Sequence, residues 1–100
     1  MSATVVVRYR TRPEAAQENS RLIAGVFAAL AEAEPADFRY TTYRLADEVS
    51  FVHIATFAGE GNPLIGLPAF AEFQRELGLR CEEQPEPSKA TVVGAYGSTS

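Results

Sequence analysis

The apolar segment Phe51-Val52-His53-Ile54-Ala55-Thr56-Phe57 limits the possible folds of this chain more than any other segment, and it carries the only histidine. Its β-branched and aromatic residues predict a strand, in which neighbouring side chains point to opposite faces. One face then carries residues 51, 53, 55 and 57, and the other carries residues 52, 54 and 56. Because both faces are largely apolar, we expect both to be covered.

The rest of the chain supplies three more strands and two helices. Thr11-Arg12-Pro13-Glu14 resembles a capping box and predicts the start of an amphipathic helix that ends at Pro35. Leu67-Pro68 predicts the start of a second helix, which carries Phe70, Phe73 and Leu77 and stops near Gly78. The residue patterns predict the other strands over 4–10, 38–45 and 90–96, with a loop at 59–63 and a surface connection over 80–87.

Residues 46–49 form a link short enough for a hairpin between the strands on either side of it. If residues 46 and 49 close the turn, Thr42 lies opposite His53 and Tyr40 lies opposite Ala55. Tyr40, Thr42 and His53 then share one face of the sheet.

The element order βαββαβ predicts an α+β, ferredoxin-like fold with a four-stranded antiparallel sheet. Right-handed crossovers place both helices on one face and leave the other face bare. That open face is too apolar for a soluble monomer, so we expect a second copy of the chain to cover it. The residues expected at this self-association surface are Thr41, Tyr43, Val52, Ile54 and Thr56.

Length and composition predict one soluble domain spanning residues 1–100, with an ordered core at about 4–96 and a tail at 97–100. A net charge of −4 argues against nucleic-acid binding, and the chain has no apolar run long enough for a membrane span. Met1 leads into a strand without a signal-like segment, which favours the cytoplasm. Cys81 is the only cysteine and lies beside two glutamates, so we expect an inert or partly buried thiol.

Several motifs resemble the dimeric α/β-barrel superfamily, and more narrowly its antibiotic-biosynthesis-monooxygenase-like members. They are Val6-Val7-Arg8-Tyr9, Phe38-Arg39-Tyr40, Phe51-Val52-His53-Ile54, Asn62-Pro63-Leu64, Leu67-Pro68-Ala69-Phe70 and the ending Ala90-Thr91-Val92-Val93-Gly94-Ala95-Tyr96. The resemblance covers nearly the whole chain and implies a homodimeric barrel with a pocket between sheet and helices. It also implies oxygenation of a small phenolic or polyketide-like aromatic without metal or flavin.

The resemblance identifies His53 as the candidate catalytic residue. Oxygenase members carry an Asn and, four residues later, a Trp on this strand, where the chain has His53 and Phe57. His53 is expected to act as a base or to orient a phenol, because an imidazole ordinarily titrates near working pH. The structural alternative is a packed imidazole that bonds to the Thr42 hydroxyl or to a buried water. The expected substrate-binding residues are Tyr40, Thr42, Phe57, Phe27, Phe70 and Phe73, and Tyr9 is a further candidate.

A second hypothesis is a non-catalytic dimeric module that binds a small molecule or only associates with itself. The space beside His53 distinguishes the two hypotheses, because a substrate site needs an open cavity of ~300 Å³ or more. One histidine and one cysteine without ligand-type spacing predict no metal site.

Overall fold

A computed structural model of the protein describes residues 2–58 and 61–97. Its four-stranded antiparallel sheet comprises β1 (Ser2–Thr11), β2 (Phe38–Arg44), β3 (Ser50–Ala58) and β4 (Cys81–Ala90), in the order β2-β3-β1-β4. The helices are α1 (Ala16–Ala33), α2 (Pro68–Arg75) and α3 (Leu77–Arg80), with short 3₁₀ segments at Pro13–Ala15 and Pro63–Gly66. The predicted ferredoxin-like fold is confirmed. No helix in the described ranges has both the length and the apolarity to cross a membrane.

The start of the first helix differs from the predicted capping box. Thr11 is the last residue of β1 and is fully buried, and its hydroxyl donates to the carbonyl of Val49 at 3.3 Å. Arg12 occupies the N-cap of the 3₁₀ segment in extended geometry and makes no side-chain cap. Thr11 is therefore part of the sheet and does not cap the helix as expected.

The β2–β3 hairpin has the predicted register. Thr42 pairs with His53, Tyr40 with Ala55, and Arg44 with Phe51. The Asp47 carboxylate stabilises the turn by accepting from the backbone N–H groups of Val49 and Ser50 at 3.0 and 2.8 Å. Since side chains alternate between faces along a strand, this register puts Tyr40, Thr42 and His53 together under the helices.

The predicted last strand is wrong. The structure places β4 at Cys81–Ala90, so that it takes up most of the expected surface connection at 80–87 and overlaps the predicted strand only at Ala90, whereas residues 91–97 form no regular secondary structure. β4 lies at the edge of the sheet, where a proline without an N–H is tolerated, so Pro85 and Pro87 do not prevent pairing with β1. The apolar character of Val92 and Val93 suggested a strand, but both are exposed.

The second helix also ends differently. The helical geometry breaks at Glu76 (φ −125°, ψ 23°), before Gly78, and α3 then continues to Arg80. This extra turn brings Arg80 into the protein interior, where its side chain is buried. Residues 59 and 60 of the predicted loop and residues 98–100 of the predicted tail lie outside the described residues.

The core lies between the helices and one face of the sheet. Tyr9, Phe51 and Val26 are almost fully buried there. On the opposite face, Val52, Ile54 and Thr56 are only partly buried and Tyr43 is about half exposed, at 52%. The single chain thus covers one face of β3 and leaves the other open to solvent.

Candidate functional site

A cavity of about 300 Å³ lies between the sheet and the segment that holds α2 and α3. The strands contribute Val5, Val7, Tyr9, Tyr40, His53 and Ala55 to its wall, and the helical side contributes Leu64, Phe70, Phe73 and Leu77. Asn62, Gln74, Gln84, Pro85 and Pro87 complete the lining. The lining is mostly apolar and aromatic with a few polar groups, as expected of a small-molecule site, and none of the described residues that line it is charged.

His53 lies at the centre of a buried hydrogen-bond network in this wall. Its Nε2 atom lies 2.8 Å from the Tyr9 hydroxyl, and its Nδ1 atom lies 2.5 Å from the Tyr40 hydroxyl. The Thr42 hydroxyl is 3.2 Å from the same Nδ1 atom. The imidazole also packs on the Phe73 ring with centroids 5.5 Å apart. Both ring nitrogens are therefore engaged, and the ring cannot rotate without breaking these bonds.

Burial shifts the pKa values of His53, Tyr40 and Tyr9. It lowers the pKa of His53 from 6.5 to about 4, so the imidazole is neutral at physiological pH. Burial raises the pKa of Tyr40 to about 12, with a hydrogen bond to Thr42 acting in the opposite direction. Burial also raises the pKa of Tyr9, and a hydrogen bond to Asn19 opposes that shift. The expectation that His53 titrates near working pH is wrong, because the imidazole is almost completely desolvated.

Asn19 and Arg80 extend the network behind the cavity. Asn19 on α1 is fully buried, and its Nδ2 atom donates to the Tyr9 hydroxyl at 2.8 Å. Arg80 at the end of α3 donates from Nε to Asn19 Oδ1 at 3.0 Å and from Nη2 to the Phe73 carbonyl at 2.7 Å. A continuous series of contacts thus runs from a buried guanidinium to the cavity wall.

The structure brings only part of the predicted site together. Tyr40, His53, Phe70 and Phe73 line the cavity, and Thr42 contacts the His53 ring from beside it. Phe27 lies behind the wall and stacks on Tyr40 with ring centroids 5.1 Å apart. Phe57 pairs with Phe38 farther along the sheet and is not part of the lining.

Sequence reasoning missed Asn19 and Arg80. One signal was available for Asn19, which falls on the buried stripe of α1 with Ala16, Ile23 and Val26 at spacings of three and four. A polar residue on an apolar stripe needs a buried partner. Arg80 had no such signal, because its burial depends on the unpredicted turn α3.

Other reactive groups lie outside this network. Cys81 is buried, and burial raises the pKa of its thiol, in line with the expected low reactivity. Within residues 2–58 and 61–97, no three His, Cys, Asp or Glu side chains come together as a metal site requires.

Comparisons with known proteins agree on the architecture. No family model matches the chain, and no curated protein gives a significant sequence match. Among solved structures, SnoaB, a cofactor-independent oxygenase from Streptomyces nogalater, is similar with 22% identity and a TM-score of 0.70, covering 97% of this chain and 98% of that one. A candidate antibiotic biosynthesis monooxygenase from Bacteroides thetaiotaomicron is similar with 14% identity and a TM-score of 0.81, covering 99% and 96%. A candidate from Nitrosomonas europaea is similar with 10% identity and a TM-score of 0.76, covering 96% and 94%.

The chain has the fold of the antibiotic biosynthesis monooxygenases. The likeness extends over almost the full length of each chain compared, so it includes the sheet, the helices and the space between them. At these identities it shows the architecture, and the chemistry must be argued from the side chains of this chain.

Proposed function

We propose that this protein is a cofactor-independent, monooxygenase-like enzyme that acts on a small aromatic metabolite of phenolic or polyketide-like type. The observation that carries the proposal is the open, aromatic-lined cavity in which His53 and Tyr40 meet. SnoaB, named as a cofactor-independent oxygenase, shares the fold and supports the same reaction class.

The cavity suits the binding of a flat, mostly uncharged ring. Phe70 and Phe73 offer aromatic surface on one side, and Val5 and Val7 offer aliphatic surface on the other. A substrate oxygen beside Tyr40 would find a hydroxyl group already held by the His53 ring. A preorganised donor of this kind favours a substrate that presents an acceptor oxygen at this position.

The reaction balances without an external reductant. The substrate loses a proton to water, the resulting carbanion or phenolate donates electrons to O2, one oxygen atom enters the substrate as a carbonyl, and the other takes up two protons and leaves as water, in the overall form R2CH2 + O2 → R2CO + H2O. In this scheme His53 orients the hydroxyl groups. Its two nitrogens are both hydrogen-bonded, and burial lowers its pKa to about 4, so it is a weak base in the free protein.

Oxygen uptake with anthrone and a panel of simple phenols tests the proposal. We expect turnover by the wild-type protein and a loss of about 100-fold or more in His53→Ala, since this substitution releases both tyrosine hydroxyls. His53→Asn is the matched variant, because an amide keeps one donor and one acceptor. Far-UV circular dichroism checks that each variant is folded. Unchanged turnover in folded His53→Ala would remove His53 from the mechanism.

The second candidate is a non-catalytic module that binds a small aromatic molecule in the same cavity. The engagement of both His53 nitrogens favours it, because such a ring can serve binding and packing alone. Thermal stabilisation by a ligand that causes no oxygen uptake would support this candidate over the enzyme.

A further inference from the structure

Arg80 is a buried cation whose hydrogen bonds go to neutral oxygens. Its side chain is 8% exposed, and its guanidinium lies 5.4 Å from the centre of the Phe73 ring, behind the cavity wall. The ion pairs within 4 Å in the described part of the chain involve Arg10, Arg21 and Arg75 instead. The partners of Arg80 are the Asn19 side chain and the Phe73 carbonyl.

Arg80 sets the orientation of the Asn19 amide. A guanidinium has only donors, so the atom of Asn19 that faces Nε must be the oxygen. The amide nitrogen then points the other way and donates to the Tyr9 hydroxyl at 2.8 Å. Reversing the amide would place two donors against each other at Arg80, which costs a buried hydrogen bond.

The orientation of the Asn19 amide also determines which group donates in the hydrogen bond between Tyr9 and the His53 imidazole. The Tyr9 oxygen has two side-chain neighbours at 2.8 Å, Asn19 Nδ2 and His53 Nε2. Tyr9 is almost fully buried, so its O–H needs an acceptor, and of these two neighbours only the imidazole nitrogen can accept; Tyr9 therefore donates to Nε2. His53 is neutral, so its single ring proton is on Nδ1, from which it donates toward the hydroxyls of Tyr40 and Thr42.

The Tyr40 hydroxyl is the last group of this hydrogen-bond network, and its proton is free to form a further hydrogen bond. The Tyr40 oxygen accepts from His53 Nδ1 at 2.5 Å, so the Tyr40 proton is not used in that bond. Tyr40 lines the cavity, so its O–H can point to a bound molecule.

We propose that Arg80 is a positioning residue that sets the direction of hydrogen bonding through Asn19, Tyr9 and His53, and that the Tyr40 hydroxyl is thereby the donor to the ligand. The cavity then selects aromatic ligands that carry an acceptor oxygen, either a carbonyl or an ionised phenol. The ligand class rests on the proposed function, whereas the direction of the hydrogen bonds does not.

The direction is measurable because His53 is the only histidine in the chain. In protein labelled with ¹⁵N-histidine, long-range proton–nitrogen correlation at neutral pH distinguishes the Nδ1–H tautomer from the Nε2–H tautomer. We expect the wild-type protein and Arg80→Lys, which keeps a donor at Asn19, to show the Nδ1–H pattern. We expect Arg80→Met to shift toward Nε2–H, because the Asn19 amide is then free to turn its oxygen to Tyr9. Arg75→Met, which removes an exposed arginine, is the control and should match the wild type.

An Nε2–H pattern in the wild-type protein would overturn the proposal without any variant. An unchanged pattern in folded Arg80→Met would show that Arg80 does not set the direction. Circular dichroism identifies a variant that fails to fold, and in that case the wild-type pattern still decides between the two tautomers.

The ligand class is tested with 4-nitrophenol, whose absorption spectrum reports its ionisation. We expect Tyr40→Phe to weaken binding of the phenolate about tenfold and to weaken binding of the neutral phenol much less, because the phenolate loses a charge-assisted hydrogen bond. Equal weakening of both forms in Tyr40→Phe, or of neither, would overturn the assignment of Tyr40 as the donor. Failure to bind either form would refute the ligand class, whereas oxygen uptake with anthrone tests the proposed function separately and the tautomer shift in Arg80→Met tests the role of Arg80.

Discussion

At the residue scale, the candidate site depends on a histidine that the fold keeps neutral. Tyr9 and Tyr40 contact opposite nitrogens of the His53 ring, and the helices and sheet remove almost all of its solvent. A charged imidazole would have to abandon its role as acceptor from Tyr9 in a desolvated site. The same contacts that fix the orientation of the His53 ring therefore make its protonation unfavourable.

His53 should make stability depend on pH in a defined window. Its pKa is 6.5 when the residue is solvated and about 4 in the folded protein, so between these values the unfolded chain binds the extra proton. The contribution is fully present above pH 6.5 and is lost as the pH falls toward 4, by up to about 3 kcal/mol. Urea denaturation at successive pH values measures this loss.

His53→Gln is the control for that experiment, because it removes the titrating group and keeps a polar side chain. Its free energy of unfolding should change little across the same window. A wild-type profile as flat as that of His53→Gln would show that His53 is not desolvated as the structure indicates. Carboxylates whose pKa is lowered, such as Asp47, change stability below about pH 5, and the difference between the wild-type and His53→Gln profiles removes that common change.

At the element scale, the hairpin and the first helix follow local rules, whereas the last strand does not. The short turn between β2 and β3 determined their register, and the apolar spacing of α1 determined its buried face. The composition of β4 does not favour a strand, because the segment is acidic and contains two prolines. It nevertheless pairs with β1 across most of its length. Pairing with a strand already in place outweighs weak strand propensity.

The end of α1 offers a test of helix termination. Glu34 occupies the C-cap in left-handed geometry at φ 46°, and its N–H donates to the Leu30 carbonyl at 2.9 Å. Glu34→Gly should raise the free energy of unfolding by about 0.5–1 kcal/mol, because glycine adopts this geometry without strain. Glu32→Gly, within α1, should lower it by a similar amount. Thermal denaturation of both variants checks the prediction, which would be wrong if both changes destabilised the protein equally.

At the scale of the whole molecule, the main feature is the face of the sheet that is exposed to solvent opposite the helices. Val52, Ile54 and Thr56 lie there beside Thr41 and Tyr43 of β2, as their register requires. The helices pack on the other face, and within residues 2–58 and 61–97 the side chains of this surface are only partly buried or exposed. We propose that a second copy of the chain packs on it, with an interface of the usual ~800 Å² per partner.

Light scattering at micromolar concentration tests this assembly. The wild-type protein should be a dimer, and Ile54→Arg should shift it to a monomer, because a charge at the centre of an apolar interface is not solvated. Leu79→Arg is the matched control, since Leu79 is an exposed apolar residue, at 73%, in α3 on the helical side. A monomeric wild-type protein, or a dimer unaffected by Ile54→Arg, would contradict the proposed interface.

The sequence by itself determined the element order, the hairpin register and the face of β3 on which His53 lies. These features depend on contacts between residues close in the chain or on the two-residue period of a strand. Tyr40, Thr42 and His53 could be placed together for that reason.

Only the tertiary structure decided what surrounds His53. Tyr9, Asn19 and Arg80 come from β1, α1 and α3, and Arg80 reaches Asn19 across 61 positions of sequence. Their hydrogen bonds, and the loss of solvent that lowers the His53 pKa, exist only after the helices pack on the sheet. The strand at residues 51–57 could be assigned two faces from its alternation, but its chemistry arises from distant residues that folding brings together.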